Sequence, residues 1–135
     1  NAEALLGVFL NLAANSLQAC VNEPEVVVNL TIDDRSLVFT FSDNGAGIET
    51  ELADKIFTPF YTTRNDGTGL GLAVVQSTIS AHKGEIRLLQ HEGCGAQFEI
   101  RLPVVNRDLS LPSSSKSNQP GSSGVGRNTQ TQGVR

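Results

Sequence analysis

A chain of 135 residues, 39% hydrophobic and 18% charged, has the size and composition of one water-soluble globular domain, which excludes collagen, a coiled-coil rod and a polytopic membrane protein. Ten basic against fourteen acidic side chains give a net charge of −4, the wrong sign for a domain that grips nucleic acid through its phosphates. Arg107, Lys116, Arg127 and Arg135 against Asp108 give residues 107–135 a charge of +3, which leaves −7 on residues 1–106, so a polyanionic ligand of the body would meet few cations.

Residues 3–20 carry Leu5, Leu6, Phe9, Leu10, Leu12, Ala13, Leu17 and Cys20 on one broad arc at helical spacing, which predicts an amphipathic helix with that arc against the core. Its polar flank is made of amides: at about 100° per residue, Asn11, Asn15, Gln18 and Asn22 fall within about 60° of one another. Glu or Lys would suit a merely solvated face better, and Asn15 costs about 0.5 kcal/mol in a helix interior. Two readings fit: a hydrogen-bonded flank beneath a loop, or side-chain carbonyls that ligate a hard cation such as Mg²⁺.

Pro24 marks the end of this helix. Val26–Ile32 and Leu37–Phe41 are β-branched or aromatic runs on either side of Asp33-Asp34-Arg35-Ser36, which predicts a hairpin. Its second strand runs into Asp43-Asn44-Gly45-Ala46-Gly47-Ile48. A strand-end carboxylate beside two glycines can accept a hydrogen bond from an exocyclic amine while bare backbone lets a flat ring approach; Asp-Asn-Gly is equally an ordinary turn.

Residues 43–69 hold no long period, so they predict a long connection with a short helix near Leu52–Ile56. Within it, Phe57-Thr-Pro-Phe-Tyr-Thr-Thr-Arg64 gathers three aromatics and a cation, as a small core of its own or as a docking surface. Arg64 reads either as a phosphate contact or as a solvated side chain. The connection ends in Gly67-Thr-Gly-Leu-Gly-Leu72. Glycines that free N–H groups at a helix start make an anion site, and a plain hinge is the other reading. No Gly-Lys-Ser/Thr follows, so this is not a P-loop, and the glycine spacing excludes a dinucleotide fingerprint.

A second helix is predicted over Leu70–His82, burying Leu72, Val75 and Ile79, with Gly84 in a left-handed cap. Strands Ile86–Leu89 and Phe98–Leu102 follow around Gly93-Cys94-Gly95, closed by Pro103. Two helices on one face of a mixed, mainly antiparallel sheet make an α+β two-layer sandwich. From Ser110 onward the chain is Ser, Gly, Asn, Gln and Pro with little to bury, so the predicted organisation is a folded unit over 1–105 and a flexible tail over 106–135. Cys20 and Cys94 have no metal-ligand spacing and read as two buried free thiols of a reducing cytoplasm. No apolar run approaches the ~20 residues that span a bilayer. With no Met anywhere, the sequence reads as a piece of a longer protein.

Taken in order, these segments resemble the ATP-binding catalytic domain of sensor histidine kinases, of the gyrase, Hsp90, histidine kinase and MutL superfamily, whose sandwich is the Bergerat fold. NLAANSLQA resembles the N-box, DNGAGI the first glycine box, FTPFYTT the F-box and GTGLGL the second glycine box, while GEIRLL and GAQFEIRLP resemble the closing hairpin. The short stretch between Phe60 and Gly67, with Gln18 where many kinases have lysine, is most similar to the nitrogen-regulator and flagellar-regulator subgroup. The resemblance implies that Asn15, and secondarily Asn11, hold Mg²⁺ and phosphates, and that Asp43 binds the adenine amino group of ATP. Gly45, Gly47 and Ile48 would line the base. Tyr61–Thr68 would form a mobile lid braced by Phe57 and Phe60, which would also face the phosphoacceptor helices. Backbone amides of Thr68, Gly69, Leu70, Gly71 and Leu72, together with Arg64, would meet the phosphates.

It also implies a cytoplasmic phosphoryl donor with no catalytic residue of its own. Neither His82 nor His91 is followed by an acid and Asn-Pro, so both read as structural, and the substrate histidine would lie upstream on the dimerisation domain of a homodimeric kinase that serves a response regulator. Nucleic acid and membrane are not implied as contacts of this domain. Three positions depart from the pattern: Gln18 carries no cation and shifts that task to Arg64, Ala96 replaces a usual threonine, and Ala19 is too small to stack on adenine. Two other classes stay open. One is a degenerate module that docks through Phe57, Phe60 and Tyr61; the other is a gyrase- or Hsp90-like ATPase, which needs a glutamate on the first helix where only the early Glu3 stands.

Overall fold

Helix α1 spans Ala2–Ala19, β1 Val26–Asp33, β2 Ser36–Asp43, α2 Gly71–Ala81, β3 Glu85–Leu89 and β4 Gln97–Pro103, in a computed structural model that describes residues 1–104 apart from Asp34 and His91. The predicted tail, the hairpin tip at Asp34 and the role of His91 lie outside the described residues. The four strands run β1-β2-β4-β3, and every neighbour pairs antiparallel, so the expected mixed sheet is antiparallel throughout.

Register explains the layers. Phe41 stands opposite Val28 and Phe98, Phe39 opposite Leu30 and Ile100, and Leu37 opposite Ile32 and Leu102. Directly opposed residues share a face, so these side chains make one apolar side of the sheet. Both helices lie on it: Val8 and Leu12 of α1 join Val75 and Ile79 of α2, Phe41, Phe98 and Ile100 in a single core. Each such fully buried side chain contributes about 1.5–3 kcal/mol. The opposite face is polar, with Glu99 accepting from Arg87 at 2.6 Å and from Arg101 at 3.0 Å, while Arg101 also reaches Asp33 at 3.1 Å. Burial pushes the Glu99 carboxyl up, but the hydrogen bonds from Arg101 and Arg87 outweigh it and hold it below the usual range.

Two expectations are corrected by the packing. The predicted apolar arc of α1 is only partly inside: Val8, Leu12 and Ser16 are buried, whereas Leu6, Leu10 and Leu17 are 58–61% exposed. These three leucines lie about 120–160° around the helix from Leu12, and Val28, Leu30 and Ile32 of edge strand β1 are exposed too. Asn22 lies beyond the end of α1 and so leaves the amide flank.

At the other helix, Lys83 and not Gly84 takes the left-handed conformation (φ 58°), with Lys83 N–H donating to Ser80 O and Gly84 N–H to Ile79 O, the paired bonds of a Schellman cap. Gly84 is required for space, since a Cβ there would lie 2.5 Å from Arg101 O. His82 Nδ1 lies 2.8 Å from Thr78 O, one turn back in α2. The short helix expected near Leu52–Ile56 is a 3-10 turn over Thr50–Leu52, followed by an Ile56 N–H to Leu52 O bond that buries Ile56. Among the described residues, no helix is long and apolar enough to cross a membrane.

Gly7 offers a test of this packing. It sits inside α1, and a Cβ would meet nothing within 4 Å. Gly7→Ala is expected to stabilise the fold by about 0.5–1 kcal/mol with no change in ligand binding, measured by urea unfolding.

Candidate functional site

Asp43 is the last residue of β2 and lies 9% exposed beside the end of α1. A carboxylate this enclosed needs partners. Its Oδ1 accepts from Gly45 N–H at 3.0 Å and Ala96 N–H at 2.9 Å, and its Oδ2 accepts from the Ser16 hydroxyl at 2.7 Å. Ser16 fits because it continues the buried stripe Val8-Leu12-Ser16 at every fourth residue. The result is a carboxylate fixed in orientation by a helix, a loop and the start of β4, with lone-pair capacity left on Oδ2.

The glycines around Asp43 are demanded first by the protein's own backbone. A Cβ on Gly45 would meet Ala19 Cβ at 2.9 Å, and one on Gly47 (φ +77°) would meet Gly95 O at 2.9 Å. Asn44, unassigned by the sequence reading, organises the chain after α1: its Oδ1 accepts from Glu25 N–H at 2.9 Å and its Nδ2 donates to Glu23 O at 3.0 Å. A cleft lined by residues 19–23 and 44–46 opens between the end of α1 and the loop after β2, and Asp43 is not part of its lining. Ile48 is partly buried against the core.

On the other side of α1, the amide flank faces the start of α2. A Cβ on Gly71 would lie 3.4 Å from Asn11 Oδ1 and 3.7 Å from both polar atoms of the Asn15 side chain. Asn11 donates Nδ2 to Gly7 O at 2.9 Å, which directs its own carbonyl oxygen away from the helix backbone. The first N–H groups of α2 lack intrahelical acceptors by helix geometry, and Leu70 at its start has no side-chain cap. Neutral carbonyls and positive helix amides therefore stand together, an environment suited to an anion with its counter-cation.

Residues 61–70 lead into α2. Phe60 (φ 67°) and Gly69 (φ 67°) are both left-handed and in contact: Phe60 N–H donates to Gly69 O at 2.9 Å, and a Cβ on Gly69 would lie 2.4 Å from the Phe60 carbonyl carbon. Thr62 Oγ1 accepts from Arg64 N–H at 3.1 Å and occupies the space a Gly67 side chain would need, and Thr68 Oγ1 accepts from Leu70 N–H at 3.4 Å. Arg64 Nη1 donates to Gln18 Oε1, which pins this loop to the amide flank of α1. Phe57 turns inward against Phe98, ring centroids 6.3 Å apart, and Tyr61 packs on the core, so of the three aromatics only Phe60, 76% exposed, presents its face outward.

The predicted residues thus converge on α1: Ser16 holds Asp43, Asn11 and Asn15 face Gly71, and Gln18 meets Arg64. Glu3 is the only acid of α1 and lies in its exposed first turn, where its backbone N–H donates to Oδ1 of the N-cap residue Asn1 at 3.1 Å. Among the described residues no group of three or more His, Cys, Asp or Glu side chains could hold a metal ion.

The family described as "Histidine kinase-, DNA gyrase B-, and HSP90-like ATPase" has a sequence model that matches residues 1–106. Sensor histidine kinase ZraS of Salmonella typhi is 43% identical over 107 residues, 78% of this chain and 23% of that protein. The chain therefore spans less than a quarter of that curated relative's length. Among solved structures, the mycobacterial sensor histidine kinase MprB superposes with a TM-score of 0.69 at 26% identity over 76% of this chain and 74% of its own. Full-length ShkA in complex with AMPPNP gives a TM-score of 0.65 at 29% identity over 74% of this chain and 21% of its own.

Proposed function

We propose, from the premise that this chain belongs to the histidine kinase-, DNA gyrase B- and HSP90-like ATPase family and is the ATP-binding catalytic domain of a two-component sensor histidine kinase, that its site presents ATP for transfer of the γ-phosphoryl group to a histidine of the same kinase. The observation that carries this reading is the convergence on one helix. A fixed carboxylate meets its inner side at Ser16, and an amide flank about 100–140° around the same helix faces the open start of α2.

Asp43 Oδ2 accepts the adenine amino group, and Gly45, Gly47 and Ile48 border the base. Asn11, Asn15 and the N–H groups of Thr68 to Leu72 surround the phosphates. The donor set fits Mg²⁺: the amide carbonyls of Asn15 and Asn11 are hard oxygen ligands, and because they are neutral they suit an ion whose charge is balanced by bound phosphates. When bound, Mg²⁺ neutralises charge on the phosphate oxygens. The protein's share is orientation and charge stabilisation, with Arg64 and the α2 amides facing the oxygens. A histidine nitrogen of the dimerisation domain attacks the γ-phosphorus, the bond to the β-phosphate bridging oxygen breaks, and ADP departs. The partners are that domain within a cytoplasmic homodimeric kinase and, indirectly, a response regulator.

Calorimetric titration with Mg²⁺ and ATP tests the assignment. The chain is expected to bind with a dissociation constant between about 1 μM and 1 mM. Asn15→Asp, which sets a carboxylate against the phosphates, is expected to weaken binding at least about tenfold. Equal affinity in both proteins would remove Asn15 from the site.

A further inference from the structure

Arg64 does not stand free. Its Nη2 lies 2.8 Å and 2.9 Å from the two carboxylate oxygens of Asp66, while its Nη1 donates to Gln18 Oε1. The turn that presents it is already formed, with Arg64 N–H on Thr62 Oγ1 at 3.1 Å and Gly67 N–H on Arg64 O at 3.4 Å. Gln18 lies on the same flank as Asn11 and Asn15, one turn beyond Asn15, so its carbonyl draws the guanidinium to the side of α1 that faces the start of α2. Asp66 is 77% exposed, whereas Arg64 is 38% exposed.

We infer that Asp66 is a resident anion that occupies the Arg64 guanidinium until a phosphate takes its place, and that Gln18 is the positioning residue that holds Arg64 at the site. This rests on the nucleotide reading above and adds to it a determinant of phosphate-chain selectivity. A planar guanidinium satisfied by a carboxylate is equally satisfied by a phosphate oxygen pair, so the two anions compete for one donor set. The body is acidic and the Arg64–Asp66 pair is largely exposed, so displacing Asp66 costs only a solvent-screened ion pair. Nucleotides whose phosphate chain reaches Arg64 feel the competition; AMP does not.

Titrations of wild-type chain, Asp66→Asn, Arg64→Ala, Gln18→Ala and the double variant Asp66→Asn/Arg64→Ala with ATP and AMP, each with Mg²⁺, test this. Asp66→Asn is expected to tighten ATP binding about two- to fivefold and leave AMP unchanged. Arg64→Ala is expected to weaken ATP about tenfold and to abolish the gain from Asp66→Asn. Gln18→Ala is expected to weaken ATP severalfold with AMP unmoved. A gain that appears equally for AMP, or that survives in the double variant, would overturn the inference while leaving the nucleotide site intact. Wild-type chain that binds neither nucleotide would overturn both.

Discussion

Asp43→Asn is expected to cut ATP affinity at least about 100-fold while leaving the protein folded. Asparagine keeps one carbonyl oxygen, which can still accept from Gly45 N–H and Ala96 N–H. The amide nitrogen then stands where Oδ2 stood, and the Ser16 hydroxyl reverses from donor to acceptor, so each polar group retains a partner. The loss of charge on these bonds costs about 1 kcal/mol of stability, a fall of roughly 4–8 °C in Tm for a domain of this size. For the ligand the change is harsher: an adenine amino group would face an N–H donor in place of a carboxylate, and a lost charged bond plus an unpaired buried donor amounts to about 3 kcal/mol. Guanine carries a carbonyl acceptor at that position, so preference for ATP over GTP should narrow. Asp43→Ala is the less informative variant, because it strands two backbone N–H groups and a hydroxyl. Titration with ATP and GTP beside thermal unfolding separates binding from folding, and an Asp43→Asn protein with wild-type ATP affinity would exclude Asp43 as the base contact.

The residues that were legible in the sequence are those whose chemistry is odd for their place. Amides on a helix flank, a carboxylate at a strand end and glycines at a helix start each stand out locally, and the fold brings all three to α1. Less legible were facts set by tertiary packing. The apolar residues of α1 cover more than half of its circumference, so periodicity could not say that Val8 and Leu12 face the sheet while Leu6, Leu10 and Leu17 do not. Ser16 is a small polar residue whose role is set by the burial of its stripe. The signal available was its place in the Val8-Leu12-Ser16 repeat, since a hydroxyl on a buried stripe must find an acceptor. The Schellman cap also followed position and not residue type, because the backbone of Arg101 leaves no room for a side chain at Gly84 and the left-handed turn fell on Lys83. The pairing of Arg64 with Gln18 and Asp66 depends on how a loop folds back over a helix, which local spacing does not encode.

Gly95→Ala is expected to be the most damaging single methyl that the site region can receive. Gly95 has φ +90°, outside the range comfortable for alanine, and the added Cβ would lie 1.8 Å from Asp43 O and 2.8 Å from Asp43 Oδ1. The first obstacle is backbone, so no rotamer change relieves it. The start of β4 must move from the end of β2, breaking Asp43 N–H to Ala96 O at 3.0 Å and Ala96 N–H to Asp43 Oδ1 at 2.9 Å. Left-handed strain of about 1–2 kcal/mol and two hydrogen bonds of about 1 kcal/mol each give a loss near 3–4 kcal/mol, a large share of the 5–15 kcal/mol that holds a typical domain folded. Asp43 loses its orientation in the same event, so ATP binding should fall with stability and should not recover when the variant is refolded at low temperature. Neither thiol is buried as expected, Cys20 being half-buried and the adjacent Cys94 exposed, so Cys94→Ala serves as the control, with stability expected within about 0.5 kcal/mol of the parent. Urea unfolding of both variants beside ATP titration decides the matter: if Gly95→Ala unfolds at the parental midpoint and binds normally, the close approach of Gly95 to Asp43 is not what sets the carboxylate in place.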